Sequence, residues 1–110
     1  MNNLFAMVTM KSSNFYTNFA IKSFFMNTIL DESDELLLID NDKNDLSNFS
    51  SYKKIKIIKN KKPLSFAENV NQGIELGIQS KKNLIFLNND IIFTKDWFKP
   101  IQIEENDISI

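Results

Sequence analysis

Three residue types are missing from this chain of 110 residues: cysteine, histidine and arginine. Without cysteine there is no disulfide and no thiol nucleophile. Without histidine there is no imidazole base, and without both there is no Cys/His zinc site. A metal site must then be built from oxygen ligands, which favours Mg²⁺, Mn²⁺ or Ca²⁺. Without arginine, a phosphate has to be met by lysine, backbone N–H groups, a helix N-terminus or a metal. Glycine is scarce, with two residues, and neither a Gly-rich phosphate loop nor a G-x-G-x-x-G pattern is present. That argues against a flavodoxin-like or other phosphate-loop nucleotide binder. The net charge is -1, so no basic excess points to nucleic acid or an anionic membrane surface. No apolar run approaches the roughly 20 residues of a membrane span. The start "MNNLFAMVTM" lacks the basic region of a signal peptide. The expected location is the cytoplasm.

What is present is ordinary for one soluble domain. Hydrophobic residues make up 43% and charged residues 25%, and a chain of this size buries roughly 65% of its unfolded surface. Short apolar runs alternate with helical patterns. "LFAMVTM" (residues 4–10) reads as a buried strand, followed by the capping residues Ser12, Ser13 and Asn14. Phe15, Phe19, Ile21, Phe24, Phe25 and Ile29 recur near helical spacing and predict an amphipathic helix over 14–29 with its phenylalanines in the core. "LLLID" (36–40) and "IKIIKN" (55–60) read as further strands, the neighbouring lysines forming a solvated face. Phe66, Val70, Ile74, Gly77 and Ile78 predict a second helix over about 65–79, capped by Ser65. "NLIFL" (83–87) is a fourth strand, "IIFT" a short extension, and "KDWFKPI" a helical turn limited by Pro100, with Trp97 as core or cover.

Strands separated by helices imply an α/β fold: one domain over 1–110 with a mostly parallel sheet of about four strands and flanking helices. Ligands of such sheets bind beyond the carboxyl ends of the strands. Thr9, Met10, Lys11 and Ser12 sit at the first such end, Asp40 to Asp42 at the second, Asn60 at the third, and Asn88, Asn89 and Asp90 at the fourth.

Four pieces in order, "FAMVTMKSSNF", "LLLIDNDKND", "NKKPLSFAENVNQGIELG" and "LIFLNNDIIFTKDWF", resemble the N-terminal half of a family 2 glycosyltransferase with the GT-A fold. The "LN-x-D" form of the last is similar to the rhamnosyltransferase-like group. Ser65 stands where that pattern has glycine, Asn89 where it commonly has proline, and Asp42 and Lys43 where it has a small residue and serine. The resemblance implies a nucleoside-diphosphate sugar, UDP- or dTDP-linked, as ligand. It implies binding roles for Thr9 near the base, Asp40 on base or ribose, and Asn88 on ribose or in support of the metal. Asn71 and Gly73 match the N-x-G of the helix beside the donor pocket, and Asp90 would ligate a divalent cation, Mn²⁺ or Mg²⁺. The activity implied is inverting transfer of a sugar to an acceptor hydroxyl, in glycan or surface polysaccharide synthesis.

A GT-A domain continues well beyond this length, into the part that supplies the acceptor site and the general base. The chain is therefore expected to be a truncated nucleotide-sugar-binding half. No residue is assigned as base, Glu104, Glu105 and Asp107 included. The alternative reading is a degenerate, non-catalytic scaffold or dimerisation domain, because missing strands leave a sheet edge that invites pairing with another chain.

Overall fold

The computed structural model describes residues 2–10 and 13–98. Lys11, Ser12, Pro100, Glu104, Glu105 and Asp107, all singled out above, lie outside them. The described elements are β1 (Asn3–Thr9), α1 (Asn14–Asn27), β2 (Glu35–Asp40), β3 (Ile55–Lys59), α2 (Phe66–Ser80) and β4 (Asn83–Leu87), with a 3₁₀ turn at Ser47–Phe49 between β2 and β3. The strands form one sheet in the order β3-β2-β1-β4. Every pairing is parallel, with Thr9 beside Asp40 and Ala6 beside both Leu37 and Phe86. This is the expected α/β architecture. No helix among the described residues is long and apolar enough to cross a membrane.

The strands could be read as continuous apolar runs because the central pair is buried on both faces. On one face Phe5, Met7, Leu36 and Leu38 pack with Ala20, Ile21 and Phe24 of α1. On the other, Leu4, Ala6, Leu37 and Ile39 pack with Leu76 of α2 and with Leu84 and Phe86 of β4. Trp97 closes the first layer, edge-on or tilted against Phe5, Phe24 and Phe93, and its Nε1 donates to Thr28 Oγ1 at 2.7 Å.

Helix α2 starts with a capping box. The Glu68 N–H donates to Ser65 Oγ and the Ser65 N–H to Glu68 Oε1, both at 3.1 Å. Its inner face is small. A Cβ at Gly73 would lie 3.4 Å from Leu84 Cδ1 and 3.7 Å from Ala6 Cβ, so the helix backbone rides close over the β1–β4 seam.

The helix faces differ from expectation. In α1 the buried residues are Thr17, Ala20, Ile21 and Phe24, while Phe15, Phe19 and Met26 are exposed. At about 100° per residue these three lie on the side opposite Phe24. The helix is apolar on two faces, and only one reaches the sheet. Ile29, beyond its end, is exposed as well. In α2, of the expected stripe Phe66, Val70, Ile74, Gly77 and Ile78, Gly77 is buried and Val70 half-buried, while Phe66, Ile74 and Ile78 are exposed; Asn69 and Gly73 complete the buried line. The glycine contact with Leu84 sets the phase and turns the larger side chains to the flank. "IIFT" is not a strand extension: Phe93 N–H donates to Ser23 Oγ and its carbonyl accepts from Asn27 Nδ2, both at 2.9 Å. These bonds lay the segment along α1 rather than on the sheet.

The two faces of α1 should respond differently to mutation. Phe24→Ala is expected to cost about 3–5 kcal/mol of folding stability. Phe19→Ser, at a side chain 50% exposed, is expected to change it by about 0.5 kcal/mol or less. Urea unfolding of the two variants reads both values.

Candidate functional site

The sheet order reverses between β1 and β4: β2 and β3 follow β1 on one side, and β4 returns to the other. The carboxyl ends of strands at such a switch point border a crevice in open α/β sheets. Here a cleft of about 260 Å³ lies at that place, lined by Val8, Met10, Ser13, Phe66, Phe86, Leu87, Asn88 and Asn89. Phe66, exposed at the start of α2, stands edge-on to Phe86 with ring centroids 5.8 Å apart. One wall is thus aromatic and the other carries amides.

Beside the crevice the chain is held by a small polar cluster. Thr9, fully buried, has its Oγ1 2.7 Å from Thr17 Oγ1. Asn89 Nδ2 donates to Ser13 Oγ at 2.7 Å and to Thr17 Oγ1 at 3.0 Å. These contacts join the end of β1, the first turn of α1 and the turn after β4. Asn89, which stands where the family pattern commonly has proline, is the amide that pins that turn to α1. Asn88 is exposed on the cleft wall, and Asp90 is exposed just beyond it. Asp90 also borders a second hollow of about 370 Å³ with Phe15, Tyr16, Phe19, Ile91 and Ile92.

Asp40 is placed differently. It is fully buried. Its Oδ2 accepts the Asn44 N–H at 2.8 Å, and its Oδ1 accepts the Asp42 N–H and Asn44 Nδ2, both at 3.1 Å. Lys59 Nζ lies 3.6 Å from Oδ2 and donates to the Asn44 carbonyl at 2.7 Å. The carboxylate therefore shapes the loop after β2, in which Lys43 has φ 50, and in this conformation its oxygens are committed there.

The structure brings Thr9, Asn88 and Asp90 to the switch point, and sets Asp40 two strands from β4, about 10 Å at ordinary strand spacing. Asn71 is exposed on α2. The amide that α2 buries is Asn69, whose Oδ1 accepts from Asn60 Nδ2 at 2.8 Å and from Gln72 Nε2 at 3.1 Å. Asn60 Nδ2 also donates to Asn41 Oδ1 at 2.9 Å, and Asn41 Oδ1 accepts the Leu64 N–H at 2.8 Å. This chain of side-chain amides links the ends of β2 and β3 to α2. Its sequence signal is the pair Asn69 and Gln72, three apart and so on one helix face.

No protein family model matches the chain, and no curated protein is significantly similar to it.

Among the described residues no group of three or more acidic side chains converges to hold a metal. Among the described residues, the exposed oxygen donors after β4 are the Asn88 amide, on the cleft wall, and the Asp90 carboxylate, two residues on, which lines the neighbouring hollow. Both are hard oxygen donors, and they fit a cation that takes its remaining ligands from a diphosphate or water, not one caged by protein. At the start of α2 the Glu68 N–H is taken by Ser65 Oγ, and the Glu68 carboxylate, folded back onto the Ser65 N–H, sets a negative charge beside that end of the helix.

Two outcomes test this layout. Asn69→Ala should cost about 1–3 kcal/mol, because it strands a buried donor on Asn60, whereas Asn71→Ala should stay within about 0.5 kcal/mol. Denaturant unfolding separates them. The Ser65 N–H bond holds the Glu68 carboxyl below its ordinary 4.5. A depressed folded value means this bond stabilises α2 above pH 4.5 and is lost as pH falls through the folded value. Amide exchange in the first turn of α2 should therefore quicken on acidification below that pH, and Glu68→Gln should flatten the dependence.

Proposed function

We propose that the chain is the nucleotide-diphospho-sugar-binding part of an inverting glycosyltransferase of the family 2, GT-A type. The observation that carries the reading is the crevice at the β1/β4 switch point, with an aromatic wall and an amide wall, and with the exposed Asp90 next in sequence to its lining residue Asn89. The ordered pieces of sequence that resemble the family support it independently of the sheet.

Each part of the crevice has a task in this reading. Phe66 and Phe86 offer apolar surface to a base or ribose, and base stacking on an aromatic ring is worth about 1–3 kcal/mol. Asn88 presents an amide to ribose hydroxyls. Asp90 would hold a divalent cation, Mn²⁺ or Mg²⁺, that takes its other ligands from the diphosphate. That cation, when bound, neutralises charge on the leaving diphosphate. The described residues that line the cleft include no lysine, and the chain has no arginine, so the phosphate charge needs a partner that this wall does not supply. Thr9 acts through Thr17 and Asn89, which hold the turn that carries Asn88 and Asp90. Asp40 acts by fixing the loop after β2, alongside the base or ribose role that the resemblance implies. In the complete reaction an acceptor hydroxyl attacks the anomeric carbon, the bond from that carbon to the diphosphate oxygen breaks, and configuration inverts. The base that takes the hydroxyl proton is not assigned to any residue described.

Calorimetric titration with UDP and with dTDP, with and without Mn²⁺, tests the proposal. The expected result is sub-millimolar binding that weakens about tenfold, about 1.4 kcal/mol, when the metal is removed. Asp90→Asn should abolish the metal dependence and leave the circular dichroism unchanged. A folded sample that binds neither nucleotide at millimolar concentration would remove the donor-site reading.

A further inference from the structure

The polar groups around Asp40 and those around Asn89 are joined by Asn14, in the first turn of α1. Asn14 Nδ2 donates to Asn44 Oδ1 at 3.2 Å, and Asn14 Oδ1 accepts from Thr9 Oγ1 at 3.3 Å. Side chains therefore touch without a break from the end of β2 to the turn after β4: Asp40, Asn44, Asn14, Thr9, Thr17 and Asn89. Asp40, Thr9 and Thr17 are fully buried, and Asn44 is 5% exposed. In the sheet, β1 lies between the two ends of this chain.

The chemistry of the end group fixes the direction of every bond along it. A carboxylate has no proton to give, so Asn44 must turn Nδ2 to Asp40 Oδ1. Asn44 Oδ1 then faces Asn14, which must answer with Nδ2. Asn14 Oδ1 in turn faces Thr9, and Thr9 supplies the proton. A hydroxyl has one proton. With that of Thr9 spent, the 2.7 Å contact between the two threonines takes the proton of Thr17. Thr17 Oγ1 is left to accept, and Asn89 must meet it with Nδ2. In the opposite setting Thr9 donates to Thr17, and Thr17 to the Ser13 carbonyl at 3.1 Å. That setting takes the Thr9 proton from Asn14 Oδ1 and spends the Thr17 proton on a helix-cap carbonyl, which already accepts the first backbone bond of α1. A chain whose donors all point toward one anion also polarises itself cooperatively, which favours the first setting.

We propose that Asp40 is a positioning residue for the crevice wall. Through this relay its carboxylate sets which end of the Asn89 amide faces α1, and so holds the turn that carries Asn88. Asn89 and Ser13 both line the crevice. Asn89 Nδ2 bridges Ser13 Oγ and Thr17 Oγ1, one proton to each. With Oδ1 in its place, the Ser13 hydroxyl would have to leave the Met10 carbonyl, which it bonds at 3.1 Å, and Thr17 would have to leave Thr9. The orientation imposed from Asp40 is thus the one that keeps the turn clamped to α1 and the end of β1. The loop after β2 and the turn after β4 respond as one unit, although two strand spacings, about 10 Å, separate their strands. The relay belongs to the wall itself, whatever the crevice binds, so it stands or falls apart from the donor-site reading.

Nitrogen-15 NMR of the full chain reads the Asn89 side-chain amide directly. Asp40→Asn removes the anion at the far end of the relay. Asn44→Ala removes the next link and leaves Asp40 its two backbone N–H bonds and Lys59, so it decides the matter should Asp40→Asn fail to fold. Each should shift the Asn89 Nδ2 signals and quicken their exchange with water about fivefold, the loss of roughly one hydrogen bond. Asn69→Ala, which opens the neighbouring amide chain at the ends of β2 and β3, should leave them unchanged. Asn14→Ala, at a half-buried residue, cuts the relay in the middle. In that background Asp40→Asn or Asn44→Ala should move the Asn89 signals no further, the non-additivity expected of members of one network. Asn89 signals that stay in place in folded Asp40→Asn or Asn44→Ala would overturn the proposal. So would an effect of either that persists undiminished once Asn14 is cut.

Discussion

The parallel pairing of β4 with β1, on the side away from β2, is the constraint on which the rest of the molecule depends. Had β4 extended the sheet beyond β3, the polar ends of β1 and β4 would lie at separate places and no crevice would open between them. The pairing also decides where α2 goes. The helix connects β3 to β4 and must cross β2 and β1 to do so, which carries it over the β1–β4 seam. Gly73 and Gly77 meet the sheet there because Leu84 fills the space that larger helix residues would need. From that contact follow both the buried amide chain on one flank of α2 and the exposure of Ile74 and Ile78 away from it.

Strand positions were legible in the sequence because β1 and β2 are buried on both faces and so are apolar at nearly every residue. The α2 start was legible through the cap residue Ser65, a local signal that needs no tertiary information. Helix phase was not legible. In α1, apolar residues occupy two opposite sides, and spacing alone cannot say which side meets Phe5 and Leu38. In α2, Asn69 and Asn71 are two residues apart, about 200° around the helix. Only the glycine contact with the sheet determines which of them is buried. The general rule is that a glycine-faced helix reverses the usual inference, since its largest apolar residues are displaced from the interface by the closeness of the backbone.

The strand-end acids show a similar limit. Asp40 and Asp90 each follow or end a buried strand, and both are flanked by asparagine. What separates them is the loop that comes after. Residues 41–44 fold back so that two backbone N–H groups and the Asn44 amide converge on Asp40, and Lys59 arrives from the next strand. After β4, the equivalent anchoring falls to Asn89, through Ser13 and Thr17, and Asp90 is left in solvent. A carboxylate already surrounded by donors is tied to its own loop in this conformation, whereas Asp90, beside a turn held by its neighbour's bonds, is exposed and has lone pairs to offer.

That division has an electrostatic consequence for any anionic ligand at the crevice. Asp90 repels a diphosphate, the first turn of α2 is filled by Glu68, which brings a further negative charge, and the described lining carries no cation. The wall can attract the apolar and hydroxyl-bearing parts of a nucleotide but opposes its phosphates. In the proposed reading a nucleoside diphosphate would therefore bind here together with a cation that Asp90 and the phosphates would share. The same carboxylate that would weaken binding of the free nucleotide would strengthen binding of its metal complex, so the sign of Asp90's contribution depends on whether the metal is present.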